Sequence, residues 1–99
     1  MNFERKSVTI PIDGTLDLHA FQPKEIRDLV PEYLDACHCE GVDLVRIIHG
    51  KGKGTLCRIV HAILKRRTDV VRYRLATDAS GWGATDVLLS PNATERNTE

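Results

Sequence analysis

The stretch RIIHGKGKGTLCRIV, Arg46 to Val60, passes from a β-branched apolar run through Gly50, Gly52 and Gly54 directly into helical periodicity. A strand delivered through a glycine-rich loop onto a helix confines a 99-residue chain to α/β architectures. Each glycine costs about 0.5–1 kcal/mol relative to alanine in regular structure, a cost offset where the backbone needs positive φ or another group must come close. The loop therefore raises a question of function as well as of fold.

The segments around it complete the pattern. In SVTIPIDGTLDLHA, Asp13-Gly14 divides two short extended pieces, and in the second Leu16 and Leu18 alternate with Asp17 and His19. Pro23 suits the first position of a helix that follows Gln22. Ile26, Leu29, Val30, Tyr33, Leu34 and Cys37 then recur at helical spacing, and Gly41 ends the run. Pro31 lies inside it and predicts a kink or break near Asp28 to Val30. A second helix is expected over about Leu56 to Arg67, followed by strands in DVVRYRLAT and ATDVLLS. DASGWG, between those strands, is rich in turn formers.

The order is β-α-β-α-β-β. It predicts a two-layer sandwich: a mixed four-stranded sheet and two helices, with right-handed parallel crossovers and an antiparallel final pair. Residues 1–7 read as an extension, 8–90 as one domain and 91–99 as a polar tail expected to fray. No apolar run nears the roughly 18 residues of a membrane span, and the start MNFERKSVTI resembles no signal segment, so a cytoplasmic protein is expected.

Cys37, Cys39 and Cys57 are an odd number of thiols, which with that location argues for reduced cysteines. Cys37-His38-Cys39 lacks the C-x2-C spacing of structural zinc sites and has no second pair. Cys57 is read as a small buried residue, although a helix N-terminus would lower a thiol pKa there.

Net charge is zero, yet the charges are segregated. Residues 1–43 carry four Lys/Arg against nine Asp/Glu, residues 44–77 nine against one, and residues 78–99 one against four. Lys51, Lys53, Arg58, Lys65, Arg66, Arg67, Arg72 and Arg74 make a basic middle suited to polyanions, though a basic run alone also describes a solvated face.

Placed at a helix N-terminus, the glycine loop suits an anion, because unpaired amides and the helix dipole converge there and Lys51 and Lys53 add charge. A purely structural glycine turn is the alternative. Neither G-x-x-x-x-G-K-[ST] nor G-x-G-x-x-G is matched, so a nucleic-acid phosphate is a better occupant than a nucleotide. Asp17 and His19 share a strand face and His49 ends the next strand, in reach of a common phosphate, water or metal. Trp82 would stack on a base or lid the core; Asp86 would assist a metal or simply face solvent.

LDLHA, IIHGKGKGTL and GWGATDVLL, in that order and spacing, resemble the three signature segments of the Smr (small MutS-related) domain family. The similarity runs from about Val8 to Ser90. The resemblance implies the same β-α-β-α-β-β fold and a nicking or RNA-cleaving endonuclease that binds DNA or RNA. It assigns Asp17 and His19 to the first motif, His49, Gly50, Lys51 and Gly52 to the second, and Gly83, Ala84 and Thr85 to the third. Ala20 stands in place of a glycine, Ser80 in place of another, and Cys57 where an arginine is usual, with Arg58 one place later.

Asp17, His19 and His49 are thus the expected catalytic residues. Gly50 to Gly54, Arg58, Trp82, Gly83 and Thr85 are the expected nucleic-acid contacts. Asp17 is the candidate ligand for a divalent magnesium or manganese ion, with metal-free cleavage by two histidines as the other route. A non-catalytic nucleic-acid-binding module using the same loop is the alternative function. No membrane partner is expected, and a monomer is compatible with the sequence.

Overall fold

The computed structural model describes residues 11–50, 54–76 and 83–91. Six elements follow in chain order: β1 (Thr15–Asp17), α1 (Pro23–Glu40), β2 (Leu44–Ile48), α2 (Thr55–Arg66), β3 (Val70–Leu75) and β4 (Ala84–Leu89). The sheet order is β1-β2-β4-β3, with β1 parallel to β2 and β4 antiparallel to both of its neighbours. The expected two-layer α/β fold with a mixed four-stranded sheet is therefore present. The last strand is inserted at the centre of the sheet, paired with β2 as well as with β3.

Local chemistry explains the helix ends. Gln22 is extended at the N-cap, Pro23 occupies the first turn, and Glu25 reaches back to accept the Gln22 N–H at 2.7 Å. Gly41 adopts φ 82° at the other end, and the Val42 N–H returns to the Cys37 carbonyl at 2.9 Å. Ile26, Val30, Tyr33, Leu34 and Cys37 form the buried stripe.

The break expected at Pro31 does not occur: α1 runs unbroken through it. Proline removes one backbone donor, at a cost of about 3 kcal/mol in a helix interior. The buried stripe continues on both sides of Pro31 and outweighs that loss, since burying each large aliphatic side chain contributes about 1.5–3 kcal/mol. α2 begins at Thr55 and ends at Arg66, one residue earlier at each end than expected.

Alternation sorts the sheet into two faces. Leu16, Leu18, Val45, Ile47, Val87 and Leu89 join the apolar faces of both helices in one core. The opposite face carries Arg46, Arg72, Arg74 and Asp86, with Asp86 holding Arg46 through bonds of 2.7 and 3.1 Å. Asp86 is thereby an ion-pair partner on the open face.

Tyr33 ties α1 to β1, accepting the Gly14 N–H at 3.1 Å and donating to the Thr15 carbonyl at 3.3 Å. Burial pushes its hydroxyl up to about 12. Gly14 sits at φ 97°, and a Cβ there would meet the Leu44 carbonyl oxygen at 3.0 Å, so the Asp13-Gly14 turn requires glycine.

Arg67 leaves the pool of free cations counted from the sequence. Its side chain is 16% exposed, and its guanidinium donates to both Asp69 oxygens, to Asp35 and to the Pro31 carbonyl, locking α1 to the α2–β3 connection. Replacement by methionine is expected to lower stability by about 2–3 kcal/mol, because Asp69 loses its charged donors while half-buried. Urea denaturation would read this as a lower midpoint at unchanged slope; a loss below about 0.5 kcal/mol would refute the network's role.

Candidate nucleic-acid site

The carboxyl ends of β1 and β2 lie side by side, and the Leu18 N–H extends their pairing to the Ile48 carbonyl at 2.9 Å. Asp17 and His19 stand at this edge. Asp17 Oδ1 accepts the His19 backbone N–H at 3.0 Å and lies 2.9 Å from His19 Nδ1. Both are open to solvent, Asp17 by 49% and His19 by 80% of the side chain. The His19 backbone N–H and then its ring hold the Asp17 carboxyl below its ordinary value, so it is an anion at neutral pH. A carboxylate at Nδ1 keeps the ring proton there and leaves Nε2 directed away, free for proton transfer.

His49 takes another direction. Asp17 pairs across the ladder with Ile48, so alternation turns His49 to the helix-covered face with Ile47, where it is 5% exposed. Its Nδ1 lies 3.1 Å from the Gly50 carbonyl, which only accepts, so Nδ1 carries the proton. Nε2 then accepts from the Thr85 hydroxyl at 2.8 Å, and Thr85 Oγ1 accepts the His61 Nε2–H, also at 2.8 Å. The chain of donors runs from His61 through Thr85 to His49. Cys57 Sγ lies 3.7 Å from His61 Nε2, and the Tyr73 ring braces His61 edge-on at 4.9 Å.

The sequence-derived residues thus divide into two groups. Asp17 and His19 meet in solvent, whereas His49 and the fully buried Thr85 belong to an internal network. Thr85, expected to face nucleic acid, faces the helices because β4 is a central strand with its odd-numbered residues turned inward. Gly83 is buried, and its carbonyl accepts the amides of His49 and Gly50 at 2.9 and 2.8 Å. The Gly50 amide, expected to hold a phosphate, is therefore engaged inside the fold. Gly50 and Gly54 have φ of 84° and 83° with open space around a would-be Cβ, so conformation and not crowding selects glycine at both.

Gly54 opens α2 without a side-chain cap, and the first turn holds no acidic residue. Its leading amides have no intrahelical acceptors and suit an anion. Arg58 is exposed in that turn and, with Arg27 and Arg66, lines a groove between α1 and α2. Lys51, Gly52, Lys53 and Trp82 lie outside the described residues.

His61 was not singled out from the sequence. Its signal was present: Cys57 and His61 are four apart and share a face of α2. Burial, and then His49, hold His61 below the ordinary 6.5. The unfolded chain therefore takes up a proton that the folded chain refuses, and stability is complete above about pH 6.5 and declines as pH falls below it. Thermal melting from about pH 7 to 5 should show this decline, reduced in His61→Gln; an equal slope in both proteins would refute the assignment. Burial also pushes the Cys57 thiol up, outweighing the nearby Arg58 charge.

Fold and site together define a small α/β domain that presents an Asp-His pair and an uncapped, glycine-led helix at the carboxyl edge of a mixed sheet. The chain belongs to the Smr domain family, whose profile matches residues 16–90. It is 37% identical over 75 residues to Endonuclease MutS2 of Carboxydothermus hydrogenoformans, covering 75% of this chain and 10% of that protein. With Endonuclease MutS2 of Halothermothrix orenii it shares 34% over 70 residues, 71% of this chain and 9% of that protein. The chain thus spans about a tenth of these relatives.

Two solved structures share the fold. The Smr domain of Thermus thermophilus MutS2 aligns with a TM-score of 0.74 and 29% identity over 78% of this chain and 98% of that one. YdaL, a stand-alone small MutS-related protein from Escherichia coli, aligns with a TM-score of 0.74 and 28% identity over 86% and 70%.

Proposed function

We propose that this chain binds nucleic acid and cleaves a phosphodiester at the β1–β2 edge. The observation that carries the reading is the Asp17–His19 pair, 2.9 Å apart and exposed, at the sheet edge where β2 ends beside β1. The resemblance to endonuclease domains supports it. The amides opening α2, with Arg58 and the loop lysines, hold the phosphate, and His19 Nε2 takes the proton of the attacking hydroxyl. With RNA, that hydroxyl is the neighbouring 2′-OH, which forms the new P–O bond as the 5′-oxygen leaves, giving a 2′,3′-cyclic phosphate. With DNA, a water replaces it. Asp17 holds the ring and stabilises its charged form.

A magnesium or manganese ion fits this edge poorly. Asp17 is one carboxylate with Oδ1 already occupied by His19, and among the described residues no cluster of three metal-binding side chains includes it. The proposed chemistry is therefore metal-independent proton transfer. Labelled single-stranded RNA and supercoiled plasmid, each incubated with magnesium, manganese or EDTA, test it. Cleavage that persists in EDTA with cyclic phosphate ends supports the route; cleavage abolished by EDTA overturns it.

A binding module without catalysis is the second reading, favoured by the burial of His49, which leaves Asp17 with one solvent-facing imidazole. It predicts no scission and binding whose logarithm falls with log salt by about 0.7–0.9 per phosphate neutralised.

A further inference from the structure

His49, Cys57 and His61 converge beneath the Gly50 turn from two different elements. One donor atom of each lies within 4.8 Å of the others, and no other such group occurs among the described residues. Cys57 and His61 stand one turn apart on α2, with Sγ and Nε2 at 3.7 Å. His49 enters from the end of β2, its Nδ1–H fixed on the Gly50 carbonyl and its Nε2 lone pair on the Thr85 hydroxyl, which also accepts from His61. A backbone carbonyl on the far ring nitrogen is the arrangement that orients metal-ligating histidines. The Tyr73 ring limits rotation of His61.

We propose that His49 Nε2, Cys57 Sγ and His61 Nε2 form a binding site for a divalent cation of the zinc class. Two imidazoles and a thiolate select borderline-soft ions such as zinc or cobalt over magnesium. Bonds of about 2.0–2.1 Å to nitrogen and 2.3 Å to sulfur set tetrahedral edges of about 3.3–3.6 Å. The Cys57–His61 edge, 3.7 Å, is already near that length, and the remaining edges, within 4.8 Å, shorten by at most about 1.5 Å as the Thr85 hydroxyl rotates away. Three protein donors leave one coordination position open.

Binding is balanced by one proton. The Cys57 S–H bond breaks, its proton passes to buffer and the sulfur electron pair forms the metal bond. His61 exchanges its ring proton from Nε2 to Nδ1 through solvent, with no net change, and His49 keeps its Nδ1 proton. The site stands apart from the Asp17–His19 edge, so it does not depend on the proposed cleavage.

Cobalt chloride titrated into the full chain with a non-thiol reductant tests the site by absorption. A one-to-one complex with a thiolate-to-cobalt charge-transfer band is expected, and zinc titration by calorimetry should release one proton per ion. Cys57→Ser, nearly isosteric at a half-buried position, should abolish the band and weaken binding by at least about 100-fold. Cys39→Ser, exposed on α1, should change neither. Thermal melting without metal verifies that Cys57→Ser is folded, and His61→Asn provides a second variant expected to weaken binding equally. Absence of metal uptake by the wild type, or a band that survives Cys57→Ser, would overturn the proposal.

Discussion

Asp17→Asn is expected to lower cleavage of single-stranded RNA by about 10²–10³-fold while leaving the fold and nucleic-acid affinity close to those of the wild type. A positioned proton-transfer pair contributes about 10²–10⁴-fold, and the amide keeps an oxygen for the His19 N–H while losing the charge that steadies the imidazolium. Stability should scarcely move, because a half-exposed pair contributes about 0–1 kcal/mol. Far-ultraviolet circular dichroism and a salt-dependent mobility shift accompany the cleavage assay. Full activity in Asp17→Asn would remove the Asp17 charge from the mechanism, and full activity in His19→Ala would remove the pair. Tighter binding without any scission in either protein would favour the non-catalytic module, since loss of a carboxylate near the phosphate removes repulsion.

Thr85→Val is expected to destabilise the protein by about 2–3 kcal/mol although it preserves shape. The hydroxyl is the shared partner of two imidazoles at 2.8 Å, and its removal leaves His49 Nε2 without a donor in a fully buried setting. An orphaned buried acceptor costs about 1–3 kcal/mol; half-buried His61 recovers part of its own loss from water. For a domain of this size that is a fall in melting temperature of about 8–20 °C. Thr85→Ser keeps the hydroxyl and loses one methyl, at a cost of about 1 kcal/mol. Equal effects of the two substitutions would show that packing, and not the hydrogen-bonded chain, sets the value of this position.

These two outcomes bear on different parts of the same motif set. Asp17 and His19 are adjacent on one strand end, so their pairing was legible from a two-residue spacing. The role of Thr85 was not, because it rests on β4 lying beside β2, with Thr85 paired to Ile47 across the ladder. Nothing within GWGATDVLL specifies which neighbour the strand will choose. The same long-range choice placed His49 inside the fold. Its sequence position, next to a glycine loop at a strand end, points equally well to solvent, and only the parallel register of Asp17 with Ile48 decides the face. The role of His61 is not legible in the sequence, because an isolated histidine in a helix carries no local mark of the threonine that meets it.

Elements, order and turns were determined by the sequence alone: Gln22-Pro23 and Gly41 bound α1, Asp13-Gly14 makes the turn before β1, and apolar periodicities of 3.6 and 2 separate helices from strands. Those signals act between residues a few positions apart, where dihedral preference and side-chain spacing are enforced by covalent geometry. Tertiary structure decided the rest. It kept α1 whole across Pro31, drew Arg67 into an internal ion pair, inserted β4 between β2 and β3, and divided imidazole, thiol, hydroxyl and carboxylate groups between a solvent edge and an internal cluster. Each of those outcomes depends on a free-energy balance between groups distant in the chain, in which buried apolar area and satisfied polar atoms outweigh what any single segment prefers.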